Sequence, residues 1–162
     1  MGIKNVKIAD EMFVLYEKHF MELSNLIIER EYDFNIWAYA RIDTVKEKYL
    51  DTLKKAGVNW LALGIESGNT TVRKDVVKGK FTDLVRQVQD AGINVIGNYI
   101  FGLPEDNVET MQETLDLAKD LNCEFANFYC TMAYPGSKLY LDAIAENHTL
   151  PNTYSGWSQH SY

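Results

Sequence analysis

Glu66 and Ser67 follow directly on an apolar run, Val58 to Ile65, in which Asn59 is the only polar residue. Gly68 then lets the chain turn sharply. A short apolar run between Gly57 and Gly68 suits a strand buried on both faces, as in parallel sheets. The carboxyl end of such a strand is the rim where α/β barrels bind ligands and do chemistry. Two more carboxylates, Asp10 and Glu11, end a shorter run from Val6 to Ala9, and Arg41 ends a third from Phe34 to Ala40. Glu66 with Asp10 or Glu11 could serve as acid and base on a small metabolite. The simpler readings are a solvated loop carboxylate at Glu66 and, at Arg41, a structural ion pair with Asp43 or Glu66.

The elements that must position these residues alternate along the chain. After the Val6 strand, Phe13 to Arg30 carries Phe13, Tyr16, Phe20, Leu23 and Ile27 at amphipathic helical spacing. Thr44 to Glu47 has the capping-box pattern, so a helix is predicted from Thr44 to Ala56, with Gly57 as its left-handed stop. A short helix is expected from Thr70 to Val77, and Thr82 is expected to cap another whose inner face is Leu84, Val85, Val88 and Ala91. Ile93 to Phe101 reads as the fourth strand, with a loop from Gly102 to Asn107. Val108, Met111, Leu115 and Ala118 mark the next helix, Phe125 to Met132 the fifth strand, and Ser137 the cap of a last helix to about Ala145.

Five such alternations call for a parallel sheet with right-handed crossovers. The expected fold class is α/β, a partial parallel (β/α) barrel of about five units over residues 1–145, followed by a polar tail over 146–162. At 162 residues the chain is short of the ~250 of a closed eight-unit barrel. It reads as a fragment or excised core of a larger domain.

Composition narrows the function. A net charge of −7 argues against a nucleic-acid grip, and no apolar run reaches the length of a membrane span. Two cysteines seven residues apart, Cys123 and Cys130, form neither a disulfide framework nor a zinc spacing, so a cytoplasmic home is expected. His19, His148 and His160 are too scattered to share a metal. Arg73, Lys74, Lys78 and Lys80 read as a solvated basic helix end.

Gly64 to Gly68, Gly92-Ile93, Ile100 to Glu105, and Tyr134 to Ser137, in that order, resemble the later part of the radical S-adenosylmethionine (SAM) domain. The branch often linked to a cobalamin-binding domain is the nearest in flavour, with Arg41-Ile42-Asp43 and Lys55-Ala56-Gly57 also matching. The resemblance implies a (β/α)6 barrel in which a [4Fe-4S] cluster cleaves SAM to a 5′-deoxyadenosyl radical, with any cobalamin on a separate domain. The cluster-binding CxxxCxxC loop is absent from this sequence, so strands two to six of the family barrel are the part expected here.

By the same resemblance, Glu66 and Ser67 face the cofactor's ribose, and Ile100, Gly102 and Glu105 belong to the adenine-binding segment, with Asn98 in place of a glycine. Asp10 and Glu11 would meet the methionine amino group and Arg41 its carboxylate. Without the family, Ile100 is ordinary barrel core. Tyr129 and Tyr134 could line the substrate side or simply pack. The implied whole is a transferase or oxidoreductase acting on a small molecule, with this piece inactive alone and its open strand edge prone to self-association. The alternatives are the acid–base barrel enzyme above or a non-catalytic binding scaffold.

Overall fold

A computed structural model describes residues 2–73 and 78–158, with backbone only for Lys78 and Gly79. Five strands, β1 (Asn5–Lys7), β2 (Asn35–Arg41), β3 (Val58–Glu66), β4 (Asn94–Phe101) and β5 (Phe125–Cys130), form one sheet in the order β1-β2-β3-β4-β5. Every neighbouring pair is parallel. A parallel sheet whose spatial order equals its chain order never reverses direction, so its right-handed crossovers all lie on one face. Helices α1 (Glu17–Glu29), α2 (Glu47–Lys55), α3 (Lys78–Asp90) and α4 (Val108–Leu121) therefore pack in a row, each against the next. The result is a curled half-barrel, the partial (β/α) barrel expected from the alternation.

The burial of β2 alternates along the strand. Ile36, Ala38 and Ala40 are buried under the helices, while Trp37 and Tyr39 face the concave side and remain partly open. Leu61, Leu63 and Ile65 of β3 and Val95 and Tyr99 of β4 complete the helix-side core with Leu53, Val85 and Val88. An asparagine ladder ties the amino-terminal ends of the strands. Asn35 donates to Asn5 at 2.9 Å, Asn59 to Asn35 at 3.2 Å, and Asn94 to the Asn59 carbonyl at 3.0 Å.

Several expected boundaries shift. Phe13 and Val14 are buried in a turn before α1, which starts only at Glu17. Thr44 does not cap α2: its hydroxyl donates to the Arg41 carbonyl at 2.9 Å, and Lys46 is the N-cap, without a side-chain bond. Thr82 lies inside α3, which begins at Lys78. On α4 the buried face is Thr114, Leu117, Ala118 and Leu121, whereas Val108 and Leu115 are exposed, because Thr114 is turned inward to bond the β3 loop. Gly57 (φ +90°) does end α2, and a Cβ there would sit 2.3 Å from the Phe34 carbonyl oxygen. Ser137 caps α5 (Lys138–Ala145) by accepting from the Tyr140 amide at 3.1 Å. Beyond α5, Trp157 of a 3-10 turn (Tyr154–Trp157) folds back with its ring 5.7 Å from that of Tyr140. Of the expected helix from Thr70 to Val77, residues 70–73 form turns and a bend, while the other half, which includes Lys74, lies outside the described residues, as does His160. Among those described, no helix is long and apolar enough to cross a membrane.

Candidate functional site

The carboxyl end of β3 carries an irregularity. Register with β4 slips between Gly64 and Glu66, and Glu66 leaves the strand at φ +67°, a left-handed conformation that costs a residue with a Cβ about 1–2 kcal/mol. Its carboxylate swings back over Gly64, where an added Cβ would lie 3.8 Å from Glu66 Oε1. Arg73, with 11% of its side chain exposed, closes this corner. Its guanidinium donates to the carbonyls of Ile65 and Gly64, lies 3.7 Å from Glu66 Oε2, and stacks 5.4 Å from the Phe81 ring.

These residues open onto a concave groove of about 630 Å³ that all five strands line. β1 and its exit supply Lys7, Ala9 and Glu11, and β2 supplies Tyr39. Gly64 and Glu66 come from β3, Asn98 and Ile100 from β4, and Tyr129 from β5. In-register alternation explains the set: Gly64 pairs with Asn98 and Ile100 with Tyr129, so these positions share the concave face. Asn98 is fixed by Asn127, whose amide donates to it at 3.1 Å.

Of the sequence-predicted residues, Glu66, Ile100, Glu11 and Tyr129 thus meet in one groove, with Asn98 beside them. The others stand apart. Ser67 is buried on the helix side, 3.3 Å from the Thr114 hydroxyl, and does not line the groove. Its neighbour Gly68 donates to Thr114 Oγ1 at 2.9 Å, and the chain approaches α4 so closely there that a Cβ would fall 2.7 Å from the Glu113 carbonyl oxygen. Asp10 caps its own turn by accepting from the Met12 amide at 2.8 Å. Arg41 forks onto Asp43 at 2.9 and 2.7 Å, the structural pair that was the simpler reading, and the guanidinium holds the Asp43 carboxyl below its ordinary range. Gly102 and Glu105 sit in the exposed loop after β4, outside the lining. Tyr134 borders a separate hollow of about 660 Å³ with Tyr140 and Trp157.

Arg73 is the residue that sequence reading missed, having been placed in a basic patch. The signal was its position, seven residues after Glu66 in the same strand-to-helix connection.

The thiols do not fit an iron–sulfur cluster. Cys123 precedes β5 and Cys130 ends it, about 20 Å apart at a strand's rise per residue. A cluster needs several thiolates around one core. Among the described residues no group of three metal-ligating side chains converges.

A singly wound parallel half-barrel, with a groove at the carboxyl ends of its strands, defines the class: a partial (β/α) barrel. The radical SAM superfamily model matches residues 2–118, and the chain belongs to that superfamily. An uncharacterized methyltransferase of Pyrococcus horikoshii is 30% identical over 150 residues, covering 90% of this chain and 33% of that protein. The anaerobic magnesium-protoporphyrin IX monomethyl ester cyclase of Rubrivivax gelatinosus is 28% identical over 140 residues, covering 82% and 25%. The chain therefore spans a third or less of these relatives' lengths. Among solved structures, the radical SAM methyltransferase TsrM of Kitasatospora setae, with cobalamin and a [4Fe-4S] cluster bound, superposes with a TM-score of 0.80 at 20% identity. That match covers 90% of this chain and 31% of TsrM, and it shares the half-barrel fold.

Proposed function

We propose that the concave groove is the SAM site of a radical SAM enzyme of methyltransferase or oxidoreductase type, with this chain supplying the ribose and adenine contacts. The observation that carries this reading is the meeting of Glu66, Gly64, Asn98 and Ile100 in one groove at the strand ends. Glu66 is the acceptor for the ribose diol, since a carboxylate takes two hydroxyl donors. Gly64 leaves open space in front of it, and Ile100 offers an apolar surface to the adenine. Glu11 faces the cationic methionine end. SAM bound here would supply the adenosyl group; the residues present bind and orient it. This chain's cysteines do not hold the cluster, which belongs to other parts of the enzyme, as does any cobalamin.

Both outer strands, β1 and β5, have one neighbour among the described residues, so their free backbone groups suit pairing with another strand. Self-association through such an edge and a cytoplasmic setting belong to the same proposal.

The test is binding of SAM and 5′-deoxyadenosine, which share the ribose diol and adenine. Both bind, and Ile100→Ala weakens both while His19→Ala, on the exposed face of α1, changes neither. Nucleoside affinity unaffected by Ile100→Ala would remove the adenine assignment.

A further inference from the structure

The groove contains one cation that the cofactor reading does not use. Lys7 ends β1, and its ammonium lies over the Trp37 ring at 4.3 Å from the centroid and toward Tyr39 at 5.4 Å. Two aromatic faces hold it in place through cation–π attraction. Lys7 makes no hydrogen bond or ion pair with the described residues, although Glu11 and Glu66 line the same groove. The indole Nε1–H of Trp37, itself buried, has no acceptor among the described residues. This end of the groove offers a positive charge that no anion of the described residues is bonded to.

Its depth separates it from the cofactor contacts. Lys7 is in register with Trp37, whereas the rim positions Gly64 and Asn98 align with Arg41, four residues further along β2 and about 13 Å higher. The two carboxylates of the groove suit a sulfonium- and ammonium-bearing cofactor. The lone ammonium beneath them suits the opposite charge.

We infer that Lys7 holds an anionic oxygen group, a carboxylate or phosphate, of the substrate on the floor of the groove, its planar or apolar body resting toward Trp37 and Tyr39; this rests on the groove being the cofactor site. Lys7 is thus a specificity-determining residue, and the substrate is an organic acid or phosphate ester.

The test is a ligand-observed NMR titration at low ionic strength with 2-naphthoate, 2-naphthyl phosphate and neutral 2-naphthamide, with 5′-deoxyadenosine titrated in parallel. The wild-type chain binds at least one of the anions about fivefold or more tightly than the amide, as a charge-assisted contact predicts. The preference shrinks as salt is raised. Lys7→Met abolishes it, Lys7→Arg keeps it, and amide binding is alike in all three. Equal affinity for anions and amide, or a preference that survives Lys7→Met, overturns the assignment. Which anion wins identifies the oxygen group. Nucleoside binding without anion preference removes Lys7's role alone. Anion preference without nucleoside binding supports the anion site and counts against the cofactor reading instead.

Discussion

The Glu66 carboxylate lies 3.7 Å from the guanidinium of Arg73, and that same guanidinium caps the carbonyls of Ile65 and Gly64. One arginine thus satisfies the end of β3 and faces the side chain that leaves it. The carboxylate is half exposed, so its share of the ion pair is screened and adds little to stability. Its strained backbone, aimed into a groove, is the pattern of a residue held for binding.

Glu66→Gly tests that view. Glycine adopts φ +67° without a Cβ penalty, and Arg73 keeps its carbonyl partners. Chemical denaturation should show stability unchanged or raised by up to about 1 kcal/mol, with ligand binding lost. A loss of more than about 1 kcal/mol would make Glu66 a structural residue.

The loop behind the rim is held by Thr114. Thr114→Val keeps the shape but strips the acceptor from the buried Gly68 amide, a cost of about 1–3 kcal/mol. Gly68→Ala forces a Cβ against the backbone of Glu113, which cannot swing aside as a side chain can. Both variants should unfold at lower urea, with Gly68→Ala at least as destabilised. Wild-type midpoints in both would show that the β3 loop is not pinned to α4.

The strands and their order were legible because apolar runs between glycines report burial, and Gly57 and Ser137 act through their own local geometry. What misled were residues whose partners lie elsewhere. Thr44 matched a capping box, yet the carbonyl of Arg41, directly after the strand's last apolar residue, captured its hydroxyl. Ser67 had the chemistry of a ligand contact, but Thr114, 47 residues away, turns it to the helix side. The same tether rotates α4 away from the face marked by Val108 and Leu115. Glu66 was readable from its place at the end of an apolar run, and Ile100 only through the family resemblance, since alternation sends it to the concave side without saying what it meets there.

The two thiols should react very differently. Burial pushes the Cys123 thiol up to about 11, against an ordinary value of 9.0, while Cys130 is exposed. At mildly alkaline pH a disulfide reagent should label Cys130 fast and Cys123 slowly. The neutral thiol is favoured by folding, so its contribution is complete below pH 9.0 and fades as pH rises toward about 11. Two equally fast thiols would mean that Cys123 is not packed as described.

The most direct measurement is isothermal titration of 5′-deoxyadenosine into the wild-type and Glu66→Gln proteins. The substitution keeps the shape and one acceptor and removes the charge. A hydrogen bond to a charged acceptor is worth about 1.5–3 kcal/mol, so affinity should fall roughly ten- to a hundredfold. Equal affinity in the two proteins, or no nucleoside binding by either, would contradict the assignment of Glu66 to the ribose and with it the groove as the SAM site.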